Sequence, residues 1–195
     1  MLDRIRHQRV VPILRSPTPG RAVAAAGALA EAGAEVVELT HSTPDVLSAV
    51  RELSARGAHV GVGTVTTAAQ VEPAAEAGAA FVVSFANPDG FVAEAHRCGV
   101  VAIPGALTPQ EVHAAVTAGA DAVKVFPARA VTPAHLGDLR TVMPDVDFLA
   151  TGGIPAEPAA VSEWLAAGAC AVGLGGALAG DDGAERFRAL VAQLA

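Results

Sequence analysis

The stretch "DAVKVFPA" (121–128) holds the only lysine of a chain that carries twelve arginines. Lys124 stands among Ala, Val and Phe, away from any charged face. A composition that uses arginine for almost every positive charge keeps this lysine for something arginine cannot do. Arginine stays protonated, whereas a buried lysine can lose its proton and attack a carbonyl. Lys124 therefore reads as a Schiff-base nucleophile. A second candidate lies in "EVVELT" (35–40), where Glu38 interrupts an apolar run. A carboxyl group in that setting can move protons for the same reaction. The plain alternative is a structural ion pair between the two. Desolvation offsets much of the attraction in a buried pair, and an arginine fork would serve it better.

The elements that would bring these residues together are written as a repeat. "AGAEVVELT" (32–40), "RGAHVGVGT" (56–64), "AGAAFVVS" (77–84), "CGVVAIPG" (98–105), "AGADAVKVF" (118–126) and "AGACAVGLG" (167–175) share one grammar. An Ala-rich helical segment ends at a glycine, which supplies a left-handed cap, and a short β-branched run follows. Gly33, Gly57, Gly78, Gly99 and Gly119 are 24, 21, 21 and 20 residues apart, and Gly168 lies 49 further on, room for two units. The unmarked boundary falls near "MPDVDFLATGG" (143–153). With "VVPIL" (10–14) there are eight apolar strands, each followed by a helical pattern. Several helices open with a capping residue and proline, as at Thr18-Pro19, Thr43-Pro44, Asn87-Pro88, Thr108-Pro109 and Thr132-Pro133.

Eight such units predict an α/β fold, a (β/α)8 TIM barrel spanning residues 1–195 as a single domain. An open doubly wound sheet is the alternative, and it would leave two edges to protect. Strand alternation puts Val36, Glu38 and Thr40 on one face, and Ala122, Lys124 and Phe126 on another. If both faces point inward, the carboxyl and the amine enter the same barrel mouth. The other strand ends at that mouth are Arg15, Thr64, Ser84, Pro104-Gly105, Thr151-Gly152-Gly153 and Gly173 to Gly176. "TGGI" (151–154) and "GLGG" (173–176) fall in adjacent loops after strands 7 and 8, where barrels cradle phosphate groups. Arg15 is a candidate for anion recognition, its alternative being a solvated loop arginine.

Composition narrows the classes. A net charge of -7 argues against a nucleic-acid partner. The apolar fraction is 52% and the mean hydropathy +0.43, yet no uncharged apolar stretch reaches the ~18 residues that would span a membrane. The start, Met1 to His7, is too charged for a signal peptide. Cys98 and Cys170 lack metal-ligand or CxxC spacing, so reduced, buried thiols in a cytoplasmic protein are expected. The six histidines show no ligand pairing with a carboxylate. His41, beside Thr40 at the mouth, is the one to watch.

The segments "VVPILR", "GAEVVELT", "GVGTV", "VVS", "IPGALTPQE", "AVKVFPA" and "TGGI", in this order, resemble the 2-keto-3-deoxy-6-phosphogluconate (KDPG) and 4-hydroxy-2-oxoglutarate (KHG) aldolases over essentially the whole chain. The resemblance implies a class I aldolase of sugar-acid metabolism of the Entner–Doudoroff type. It would act on a small 2-keto acid, cleaving it to pyruvate and an aldehyde, with no cofactor or metal, as a cytoplasmic homotrimer. It assigns Lys124 to the Schiff base and Glu38 to acid/base work. Arg15 and Thr64 would hold the carboxylate, and Pro104 and Phe126 would wall the pocket. Thr151, Gly152, Gly153, Gly175 and Gly176 would line the distal end. The chain departs from the family pattern at Ser42, where some members have Arg, and at Gly176, where phosphate-using members have Ser. It departs again at Phe85, after Ser84, and at Ala150, in place of Pro. These changes leave the reaction type intact and weaken the expected preference for a phosphorylated aldehyde. Two other classes stay open on the residues: a phosphate-binding barrel isomerase or epimerase using Glu38 as base, and a non-catalytic barrel that binds a sugar acid.

Overall fold

The repeat is realised as a ring of parallel strands wrapped by helices, seen in a computed structural model that describes residues 1–178 and 180–194. β1 (Val10–Leu14), β2 (Val36–Thr40), β3 (His59–Gly63) and β4 (Phe81–Val83) pair in chain order. The fifth barrel strand is broken at Pro104. Its first piece, β5 (Val101–Ile103), pairs with β4, and its second, β6 (Gly105–Ala106), pairs with β7 (Val123–Val125). β8 (Phe148–Thr151) and β9 (Ala169–Leu174) complete the ring, and β9 pairs with β1. The result is the predicted (β/α)8 barrel with one strand in two pieces. Proline has no N–H for a ladder, which is why the strand breaks there. Its carbonyl still accepts the Lys124 N–H at 2.8 Å, so the break fixes the backbone of the predicted nucleophile.

The outer ring comprises α2 (Pro19–Glu31), α3 (Val46–Ala55), α4 (Val71–Glu76), α5 (Phe91–Arg97), α6 (Pro109–Thr117), α7 (Pro133–Val142), α8 (Pro158–Ala166) and α9 (Gly183–Leu194). Trp164, Phe187 and Leu190 pack inward from the last two helices. The repeat glycines Gly33, Gly57, Gly78, Gly99, Gly119 and Gly168 all have positive φ, the conformation that ends each helix and turns the chain into the next strand. Thr18 accepts the Arg21 N–H, and Thr108 forms a capping box with Glu111. Two of the predicted helix starts differ. α3 begins only at Val46, because Thr43 is buried and accepts the Ser16 N–H at 3.1 Å, tying the β2 loop to the β1 loop. α5 begins at Phe91 after Gly90, leaving Asn87-Pro88 in the loop.

The charged N-terminal segment is a helix, α1 (Leu2–Gln8), which sequence reading left without an element. Its single buried residue, Ile5, joins Val11, Val36, Phe81, Leu149 and Ala171 in the barrel interior and closes the end where the strands begin. The rest of α1 is tied down by polar contacts. Arg6 pairs with Asp147, before β8, and Arg4 with Glu35, before β2. Gln8 accepts the Val36 N–H at 2.8 Å. No described helix is long and apolar enough to cross a membrane. Both cysteines are free and only partly buried, and burial pushes the Cys170 thiol up to about 12, where it stays protonated.

Candidate active site

Strand parity holds. Glu38 on β2 and Lys124 on β7 both point into the barrel, and both are buried, with 1% and 6% of their surface exposed. Lys124 Nζ lies 3.8 Å from Glu38 Oε1. That separation is too long for a hydrogen bond, so the pair interacts through space only. At an effective dielectric of ~20 the attraction at that range is about 4 kcal/mol. Desolvating the two ions costs several kcal/mol each. The pair is therefore a poor source of net stability, which removes the main reason to read it as structural. Burial is also the dominant influence on Glu38: it pushes the carboxyl above its ordinary pKa, and the positive charge of Lys124 offsets this only in part. Neither Glu38 oxygen has a hydrogen-bond partner among the described residues.

The fold makes room for this carboxyl at the expense of a neighbour's side chain. β3 pairs with β2 through Glu38–Gly61 and Thr40–Gly63. A Cβ at Gly63 would lie 1.7 Å from Glu38 Oε1, and one at Gly61 would lie 2.2 Å from the Phe81 ring. The alternating glycines of "GVG" thus hold open the space that Glu38 and Phe81 fill. Next in the chain, Thr64 adopts φ 60. A β-branched residue in the left-handed region costs of order 1–3 kcal/mol, and such strain concentrates at functional sites.

Above the pair lies a cavity of about 550 Å³ at the C-terminal ends of the strands. Arg15, Thr40 and Thr64 line it on the β1–β3 side. Phe126, whose ring centroid is 5.5 Å from Lys124 Nζ, lines it beside the amine, and Phe85 stands 6.5 Å from Phe126 at the rim. The remaining wall is Thr151, Gly152 and Gly153 after β8, and Gly173, Gly175 and Gly176 after β9. Thr151 is buried, and its hydroxyl has no hydrogen-bond partner among the described residues.

The structure brings together all the predicted site residues but one. Lys124, Glu38, Arg15, Thr64, Phe126, Thr151, Gly152, Gly153, Gly175 and Gly176 border one cavity. Pro104 does not; it is buried in the strand break and acts through its carbonyl on the Lys124 backbone. His41 is also outside the lining, its N–H donating to the Gly63 carbonyl at 2.8 Å. Sequence reading missed Arg129, Ile13 and Ile154. Arg129 follows β7 in a short 3-10 turn, and its N–H donates to the Gly152 carbonyl at 2.9 Å. Nothing local marks it; only the docking of the β7 loop on the β8 loop brings it to the cavity. Among the described residues, no group of three or more His, Cys, Asp or Glu side chains is placed to hold a metal ion.

Comparison with known proteins identifies the family. The profile of the KDPG and KHG aldolases matches residues 1–187. A probable 2-dehydro-3-deoxy-6-phosphogalactonate aldolase of Rhizobium meliloti is 34% identical over 173 residues, covering 87% of this chain and 81% of its own. The crystal structure of the 4-hydroxy-2-oxoglutarate/2-dehydro-3-deoxyphosphogluconate aldolase from TTHB1 superposes with a TM-score of 0.88 at 34% identity, covering 100% of this chain and 98% of its own. The KDPG aldolase of Legionella pneumophila, with pyruvate captured as a covalent carbinolamine, superposes with a TM-score of 0.85 at 26% identity, covering 97% of this chain and 95% of its own. The buried amine–carboxyl pair at the mouth of this barrel is thus found in a member of the KDPG and KHG aldolase family.

Proposed function

We propose that the chain is a class I aldolase that cleaves KDPG or a closely related 2-keto-4-hydroxy acid, with Lys124 as nucleophile and Glu38 as acid/base. The observation that carries this reading is the arrangement of the chain's one lysine within the barrel, facing a buried carboxyl whose oxygens have no hydrogen-bond partner among the described residues. The Lys124 amine attacks the C2 ketone to give a carbinolamine, and loss of water leaves an iminium. Glu38 takes the proton of the C4 hydroxyl as the C3–C4 electron pair moves into the iminium, and the aldehyde departs. Glu38 returns the proton to C3 of the resulting enamine, and hydrolysis frees pyruvate and Lys124. A carboxyl whose pKa is raised by burial is suited to both halves of this exchange.

Arg15 and the strained Thr64 bind the pyruvoyl carboxylate in this reading, and Phe126 packs on the amine side. Thr151, Gly152, Gly153, Gly175 and Gly176 receive the aldehyde half. Family membership supports a cytoplasmic homotrimer, which sedimentation at micromolar concentration would test. The catalytic reading is tested by following pyruvate release in a coupled assay from KDPG, its C4 epimer and 4-hydroxy-2-oxoglutarate. We expect a phosphorylated sugar acid to be cleaved faster than 4-hydroxy-2-oxoglutarate. Release from none of the three would overturn the assignment.

A further inference from the structure

The distal wall of the cavity is almost bare of side-chain chemistry. Gly152, Gly153, Gly175 and Gly176 offer backbone only, and the one hydroxyl there belongs to Thr151. The sole charged side chain on that wall is Arg129. Its stem lies across Gly153 so closely that a Cβ at Gly153 would meet Arg129 Cβ at 2.7 Å and Cδ at 2.8 Å. Its guanidinium forms no ion pair or hydrogen bond among the described residues, although most arginines in the chain are engaged by carboxylates or carbonyls. Arg15, the other arginine on the cavity, is likewise unengaged. Thr151 supplies an independent sign of a ligand at the same wall, being 5% exposed with its hydroxyl unpartnered among the described residues.

Charge points the same way. The ionisable groups lining the cavity are Arg15, Lys124 and Arg129 against Glu38 alone, in a chain of net charge -7. That local excess of positive charge fits a substrate with an anionic group at each end. β9 and β8 lie between the strands that carry Arg15 and Arg129, so the two arginines address different parts of the cavity. One anion is the keto-acid carboxylate. The other must be on the aldehyde half.

We propose that Arg129 is the specificity-determining residue for a phosphate on the aldehyde half, its guanidinium donating to phosphoryl oxygens alongside the Thr151 hydroxyl. The proposal rests on the aldolase reading above and adds to it the residue that selects the aldehyde. Gly176 contributes no side-chain donor, so charge recognition at this end falls to Arg129. A planar guanidinium gives two parallel, charge-assisted hydrogen bonds to a phosphate, which a hydroxyl cannot.

The test is the reverse reaction, addition of pyruvate to glyceraldehyde 3-phosphate or to glyceraldehyde, two acceptors that differ only by the phosphate. Arg129→Met should lower kcat/KM for the phosphorylated acceptor by ~10–100-fold. The value for glyceraldehyde should stay within about twofold, as should the rate of borohydride trapping of pyruvate. Arg129→Lys, which keeps the charge and loses the fork, should fall between. An equal loss on both acceptors would make Arg129 structural and overturn the proposal, as would no selective loss. If Arg129→Met does not fold, Arg129→Gln carries the same comparison. A wild-type enzyme that traps no pyruvate and adds it to neither acceptor would instead overturn the aldolase reading itself. Trapping without selectivity in the variants overturns only the role of Arg129.

Discussion

The two ends of the barrel are built from the same strands and treat polar groups in opposite ways. At the floor, α1 closes the interior with Ile5, and its polar residues are matched: Arg6 to Asp147, Arg4 to Glu35, Gln8 to the backbone of β2. At the mouth, Glu38 and Thr151 are buried without hydrogen-bond partners among the described residues, Thr64 is held in a left-handed conformation, and the Arg15 and Arg129 side chains, which line the cavity, have no partner among those residues either. The floor satisfies its groups and stabilises the fold. The mouth leaves its groups unsatisfied, so their interactions remain available to a substrate. Stability and reactivity are thereby assigned to opposite ends of one set of strands, and a substitution should register in one measurement or the other according to the end it touches.

The sharpest way to break that division is at Lys124. Lys124→Arg keeps the positive charge beside Glu38 and removes the nucleophilic amine, and turnover should fall by about 10⁴-fold or more. Appreciable retained turnover would reduce Lys124 to an electrostatic partner. At the other end, Ile5→Ala should cost about 3 kcal/mol in denaturant unfolding, from the cavity it leaves, with kcat of the folded enzyme unchanged. Loss of kcat without loss of stability would mean that floor and mouth are coupled.

A smaller effect sharpens the role of Glu38. Glu38→Gln should lower turnover by roughly 10²-fold while pyruvate still forms its adduct on Lys124. The same variant isolates the pH dependence of stability. The Glu38 pKa is raised in the folded chain, so between the ordinary glutamate value and the raised one the folded state binds the extra proton. Wild-type stability should therefore decline relative to Glu38→Gln as pH rises through that window, by at most ~1.4 kcal/mol per pH unit. A wild-type stability that instead rises relative to Glu38→Gln over the same window would show that the pairing with Lys124 outweighs desolvation. The smallest effect belongs to the exposed Arg4–Glu35 pair: Arg4→Ala should cost under ~1 kcal/mol, and less at high salt. Urea unfolding at two ionic strengths checks it.

What the sequence discloses follows the same contrast. The βα repeat and the inward faces of β2 and β7 are legible because each is a local pattern: a glycine cap before a β-branched run, and side chains alternating along a strand. Lys124 and Glu38 stand out for the same reason, as charges at inward positions of apolar strands. The floor plug is not legible, since "LDRIRHQ" offers a single buried residue and no amphipathic stripe. Arg129 is hidden among alanines until the β7 loop docks on Gly152. The glycines of β3 read as part of the repeat, and their real task, clearing space for Glu38 and Phe81, appears only when strands are paired. Pro104 shows the converse error. The family resemblance makes Pro104 a pocket wall, but here it lies outside the cavity lining, and the missing N–H makes it a break whose carbonyl fixes the next strand.

Having one lysine gives the central claim a clean test. The protein is incubated with pyruvate and sodium borohydride, digested, and its peptides are weighed by mass spectrometry. Lys124 should carry the reduced pyruvate adduct, and turnover should be lost in step with its formation. No adduct on Lys124, under conditions that label a known Schiff-base aldolase, would contradict the assignment of this lysine as the nucleophile.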